Sequence, residues 1–123
     1  IFTLQEIIWK TRPQYIIETG IAWGGNLLFN SMLLDYIGGK KVIGIDIFIP
    51  KKVEQSLNKH KKISKKIELI KGSSVDKNVI KKVKSIIKNS KRVLVILDSD
   101  HTHHHVLKEL EIYSRFVKKK CLS

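Results

Sequence analysis

Small acidic or hydroxyl side chains stand directly behind apolar runs at Glu18, Asp46, Ser73–Ser74 and Asp98. Behind the first come Gly20, Gly24 and Gly25, in the stretch YIIETGIAWGG. Glycine at Gly20 lets a chain turn sharply out of a strand, because it reaches backbone angles that a Cβ forbids. Gly24 and Gly25 open an apolar helical run, where free N–H groups point outward and no side chain keeps a ligand from the backbone. After Asp98 follows a histidine cluster: His101, His103, His104 and His105. Carboxylates, hydroxyls and imidazoles so placed hold ligands, bind cations and move protons.

Such groups act together only if a scaffold brings them to one place. TLQEIIWKTR reads as an amphipathic helix with Thr3 and Glu6 as a capping box, broken at Pro13. YIIE is a short buried strand, and NLLFNSMLLDYI a helix ended by Gly38–Gly39. KVIGIDI is the second strand; Pro50 starts a lysine-rich helical segment to about His60. KIELIKG is the third strand, and SVDKNVIKKVKSIIKN a helix with Val79, Ile80, Val83, Ile86 and Ile87 on one face. RVLVILD is the fourth strand. HHHVLKELEIYSRFV is a last helix, expected to bury Val106, Leu107, Leu110, Tyr113 and Val117. Strands alternating with helices imply a parallel sheet covered on both faces. Ligands of such sheets bind beyond the carboxyl ends of the strands, where all four polar groups fall.

The residues also indicate which ligand. Asp46 ends the second strand, where an acid accepts hydrogen bonds from ribose hydroxyls in folds of this kind. A tight turn alone would explain the glycines; Asp46 at the next strand end favours a ligand. A dinucleotide loop aims a helix N-terminus at a pyrophosphate, which a preceding carboxylate would repel. Glu18 therefore suits a ligand with a cation and no phosphate. S-adenosylmethionine, with its ammonium, sulfonium and ribose, meets that description better than a nicotinamide dinucleotide.

The 123 residues are one domain's worth, with a 42% hydrophobic share that allows one core. The formal charge of +13 invites a nucleic-acid reading. Arg12, Arg92 and Arg115 are, however, the only arginines, and no aromatic residue interleaves with the lysines between Lys51 and Lys91. A solvated basic face is the better reading, so no specific nucleic acid is expected. One cysteine, Cys121, allows no internal disulfide. With neither a membrane span nor a leader recognisable, the cytoplasm is the expected compartment.

IIETGIAWGGNLLF, VIGIDI, IELIKGSSVD and above all VLVILDSDHTHHHVLKELEIYS closely resemble the cephalosporin hydroxylase/rhamnosyl O-methyltransferase family. The likeness runs from the first helix to the last, and its Asp-Ser-x-His-Thr-His segment is the most distinctive part. It implies a Rossmann-like class I methyltransferase fold, α/β, with sheet order 3-2-1-4 in residues 1–123 as one domain. It implies S-adenosylmethionine as cosubstrate, with Glu18, Gly20, Gly24 and Gly25 along its methionine part. Asp46 would hold the ribose, and Ser73, Ser74 and Asp76 would lie near the adenine. Asp98 resembles a first ligand for a divalent metal, usually Mg2+, and His101 or His103 would act as general base. For His104 and His105 helix capping and packing are expected.

The chain departs from the family pattern at Trp23, Asn26, Asp100 and His104. Family members also continue into a fifth strand that carries further acidic residues, so a domain truncated at its C-terminus is expected. The function implied is metal-assisted O-methylation of a sugar or secondary-metabolite hydroxyl, the partner being that small-molecule acceptor. An inactive donor-binding remnant is the alternative, and a basic nucleic-acid-binding module comes third. A homo-oligomer, in which a second chain covers the fourth strand, is compatible with this sequence.

Overall fold

The computed structural model describes residues 2–98 and 103–117. Helix α1, Leu4–Thr11, is capped by Thr3, whose hydroxyl oxygen accepts the Glu6 N–H over 3.2 Å. Strand β1, Tyr15–Thr19, leads to α2, Gly25–Tyr36, and then to β2, Lys41–Asp46. Helices α3, Lys51–Lys59, and α4, Lys61–Ser64, precede β3, Ile67–Lys71. Helix α5, Lys77–Ile87, β4, Val93–Leu97, and α6, His103–Tyr113, complete the order, with a 3-10 turn at Ser114–Phe116.

The sheet is parallel throughout, in the order β3-β2-β1-β4, as the resemblance implied. Glu18 stands in register between Gly44 of β2 and Ile96 of β4. Side chains alternate between two cores. Ile16, Val42 and Leu94 meet α1 to α3 through Ile8, Leu27, Leu34, Val53 and Leu57. Tyr15, Ile17, Ile43, Val93 and Val95 meet α5 and α6 through Val79, Val83, Ile87 and Tyr113. Each fully buried isoleucine or leucine contributes about 2 kcal/mol. Both central strands are covered on both faces, which is why they read as unbroken apolar runs.

The lysine-rich helix runs from Pro50 to His60 as expected; His60 leaves helical geometry at φ −113° and ψ 62°, and a short second helix, α4, follows it. The last helix corrects one expectation: Tyr113 is buried and Val117 packs on the core as expected, but the two leucines are not buried. Leu107 and Leu110 are 55% and 47% exposed, while Glu109 is 1% exposed. Its inner stripe is His105, Glu109 and Tyr113, and the cause is polar: Ser74 hydrogen-bonds this face, as described below. Among the described residues, no helix is long and apolar enough to cross a membrane.

Candidate functional site

The strand ends are stitched to one another beyond the sheet. The N–H of Asp98 donates to the Thr19 carbonyl, that of Gly20 to Ile45, and that of Gly72 to Asp46, each over 2.8 Å. These bonds extend the ladder by one residue and bring the four turns to one level. Above them lies a cavity of about 620 Å³, in the size range of small-ligand sites. Gly20, Asp46, Ser73, Ser74, Asp98 and His105 supply its polar and turn residues, with Ala22, Ile45, Ile47 and Gly72 beside them.

Asp46 ties the site together. Its Oδ2 accepts the Ile21 N–H over 3.0 Å and its Oδ1 the Phe48 N–H over 3.2 Å. The first bond clamps the loop after β1 to the end of β2. Each oxygen keeps a second lone pair for hydroxyls of a ligand. A carboxylate here thus shapes the cavity wall and offers acceptors at once.

The glycines divide by task. Gly20, with φ +84°, turns the chain out of β1 and lines the cavity. Gly24 precedes α2 at φ +81°, and a Cβ on it would lie 3.1 Å from Val53 Cγ1 of α3. Its glycine is required by backbone and packing. A Cβ on Gly25 would meet nothing within 4 Å, so that position stays open to an approaching group. Neither Gly24 nor Gly25 is among the lining residues.

Glu18 is 2% exposed, and Asn30 Nδ2 of α2 donates to its Oε2 over 3.4 Å. Burial pushes its carboxyl up from the ordinary 4.5 to about 7; the Asn30 bond opposes this and the Asp98 charge adds to it. The side chain is outside the cavity lining.

Ser73 borders the cavity and accepts the Val75 N–H on its hydroxyl oxygen over 3.3 Å. Ser74 also borders it, but its hydroxyl donates to Glu109. Asp76 is the N-cap of α5, accepting the N–H groups of Asn78 and Val79 on Oδ1 over 2.7 and 3.4 Å. It is exposed and outside the lining. Asp98 is exposed at the end of β4 and faces the cavity. Among the described residues no group of three or more His, Cys, Asp or Glu gathers as a metal site. The expectation on His101 lies outside the described residues, as does that on the side chain of His103, the first residue of α6. His105, expected only to cap and pack, lines the cavity. Sequence reasoning missed it together with Asn30 and Glu109. The i, i+4, i+8 spacing of His105, Glu109 and Tyr113 was the available signal.

The sequence model of the family described as Rhamnosyl O-methyltransferase/CmcI matches residues 1–121. Curated rhamnosyl O-methyltransferases of Mycobacterium bovis and Mycobacterium tuberculosis are 27% identical over 111 residues. That alignment covers 88% of this chain and 43% of theirs, so the chain spans less than half the length of these relatives. Among solved structures, a putative caffeoyl-CoA O-methyltransferase from Staphylococcus aureus superposes with a TM-score of 0.69 at 19% identity. It covers 94% of this chain, which matches 50% of that one. An apo-structure of CmcI superposes at 0.55 and a Mg-SAM structure of CmcI at 0.51, both at 22% identity. Both cover 86% of this chain, and the overlap is 42% and 43% of theirs. These superpositions agree with the Rossmann-like fold.

Proposed function

This chain belongs to the Rhamnosyl O-methyltransferase/CmcI family, and on that premise we propose that its cavity binds S-adenosylmethionine as donor for O-methylation of a small-molecule hydroxyl. The observation that carries the reading is the cavity of about 620 Å³ at the carboxyl ends of β1, β2 and β4, with Asp46 on its wall. Its volume suits an adenosine bearing an amino-acid tail. Asp46 has acceptors for two ribose hydroxyls, and Ser73 and Ser74 lie on the neighbouring turn. Asp46 and Asp98 make the cavity wall negative, which favours the ammonium and sulfonium of this donor over a phosphate.

The donor supplies an electrophilic methyl group on a positively charged sulfur, which leaves as a neutral thioether when an acceptor oxygen displaces it in line. The chain's share is to hold donor and acceptor at that angle, since positioning supplies much of such an acceleration. The proton leaving the acceptor hydroxyl is assigned to His101 or His103, which follow Asp98 in the chain. A divalent cation on Asp98 would lower the pKa of that hydroxyl. Of the described residues, Asp98 is the one that would hold it. A sugar hydroxyl is the acceptor that the name of the curated relatives suggests, and a secondary-metabolite hydroxyl is the other acceptor proposed.

Isothermal titration of the folded chain with S-adenosylmethionine, with and without Mg2+, tests the reading. Saturable binding that Asp46→Ala removes is expected. A folded chain that takes up no donor, or that binds a nicotinamide dinucleotide in its place, would sink it.

A further inference from the structure

Helix α6 turns an acid into the molecule while two leucines on neighbouring faces, Leu107 and Leu110, stay outside. His105 lies one turn before Glu109, and Tyr113 one turn after it. The Ser74 hydroxyl donates to Glu109 Oε2. His105 Nε2 lies 3.5 Å from that carboxylate oxygen and 3.4 Å from Ser74 Oγ. The Tyr113 hydroxyl donates to the Ser74 carbonyl oxygen over 2.6 Å. One helix therefore grips one residue by both its side chain and its backbone. The Tyr113 phenol stays protonated for that purpose: burial, then the Glu109 charge, raises its pKa.

A buried carboxylate is unfavourable unless it is hydrogen-bonded, and an apolar residue would fill the same space without that cost. The polar choice has a consequence at the cavity. Ser74 and His105 are wall residues, whereas Glu109 is not among the lining. With its proton committed to Glu109, the Ser74 hydroxyl offers a ligand lone pairs only. Among the described residues, His105, held beside the same carboxylate, is the α6 side chain that borders the cavity.

We infer that Glu109 is a positioning residue: by holding the Ser74 hydroxyl and the His105 imidazole, it sets affinity for the nucleoside end of the donor without touching it. This rests on the donor reading proposed above. Two measurements on the full chain separate the two claims: the affinity for S-adenosylmethionine by titration, and amide hydrogen exchange at residues 72–75. Glu109→Gln keeps the shape but presents an amide in place of a charged acceptor. It weakens binding about tenfold, as does Ser74→Ala. The double variant is weaker than either by no more than about twofold, because both changes break one connection. Exchange at residues 72–75 rises in Glu109→Gln and in Tyr113→Phe. Losses that multiply, or a folded Glu109→Gln or Ser74→Ala with wild-type affinity, would overturn the positioning role. A wild-type chain that binds no donor ends the donor reading instead, and exchange then judges the grip alone. Unchanged exchange in both Glu109→Gln and Tyr113→Phe would end that as well.

Discussion

Glu18 is an acid held almost out of water at the point where three strands meet, with the Asn30 amide as its hydrogen-bond partner. Its carboxyl is pushed up to about 7, so the folded chain holds a proton there that the unfolded chain releases above about 4.5. The sign follows: stability from this group is full below pH 4.5 and is lost as pH rises through 7. The full loss is roughly 3 kcal/mol. Glu18→Gln removes the charge but keeps an acceptor for Asn30, so its stability relative to wild type rises from pH 5 to pH 8. Urea unfolding at several pH values checks this, and a constant difference between the two proteins would contradict it. Asp46 differs, since its oxygens already accept two backbone N–H groups. Asp46→Asn retains one acceptor and is expected to lower stability by about 1 kcal/mol. Its donor affinity falls at least about tenfold, because the amide no longer offers both ribose hydroxyls a charged acceptor. Titration of the folded variant decides; full affinity would remove Asp46 from the binding role.

At the scale of elements, close approach and caps set the geometry on which the cavity depends. A Cβ on Gly44, in the middle of β2, would stand 2.9 Å from both Ile21 Cγ2 and Leu27 Cδ1. Those two side chains belong to the turn after β1 and to α2, so Gly44 fixes how tightly both lie on the sheet. Gly44→Ala is expected to destabilise the chain by about 2 kcal/mol and to weaken donor binding with it. Thermal unfolding and titration of this variant would show both effects. Asp76 contrasts with it: as the cap of α5 it holds a helix end away from the cavity lining. Asp76→Ala should cost about 1 kcal/mol and leave donor affinity unchanged. A fall in affinity without a fall in stability would return Asp76 to the adenine site.

For the whole molecule, the question is what a charge of +13 does on this fold. The lysines of α3, α4 and α5 lie mostly on exposed positions, while the cavity is lined by Asp46 and Asp98. The molecule is thus basic outside and acidic where the strands end. Any attraction to polyanions resides in the outer face and fades as salt rises. Donor binding, which uses short contacts in the cavity, should change less than about threefold between 50 and 300 mM salt. A donor affinity that collapses over that range would place the ligand on the lysine surface.

Much of the fold was legible in the residues alone. Strands ended within a residue or so of Glu18, Asp46, Gly72 and Asp98, because a parallel strand buried on both faces is mostly apolar until it leaves the sheet. The same ends marked the cavity, since in this topology every carboxyl end opens on one side. Asp46 and Gly20 were found that way. Local sequence could not decide between a glycine kept for a ligand and one kept for packing. A positive φ and the approach of Val53 separate Gly24 from Gly25. Nor could it orient α6, where leucines and a polar stripe competed for the inward face. The outcome rests on Ser74, thirty-five residues before Glu109, whose hydroxyl donates to Glu109 and whose carbonyl accepts from Tyr113. Periodicity carries information about neighbours along the chain; partners brought together by the sheet are decided by tertiary structure, because a buried polar group must find its match in space.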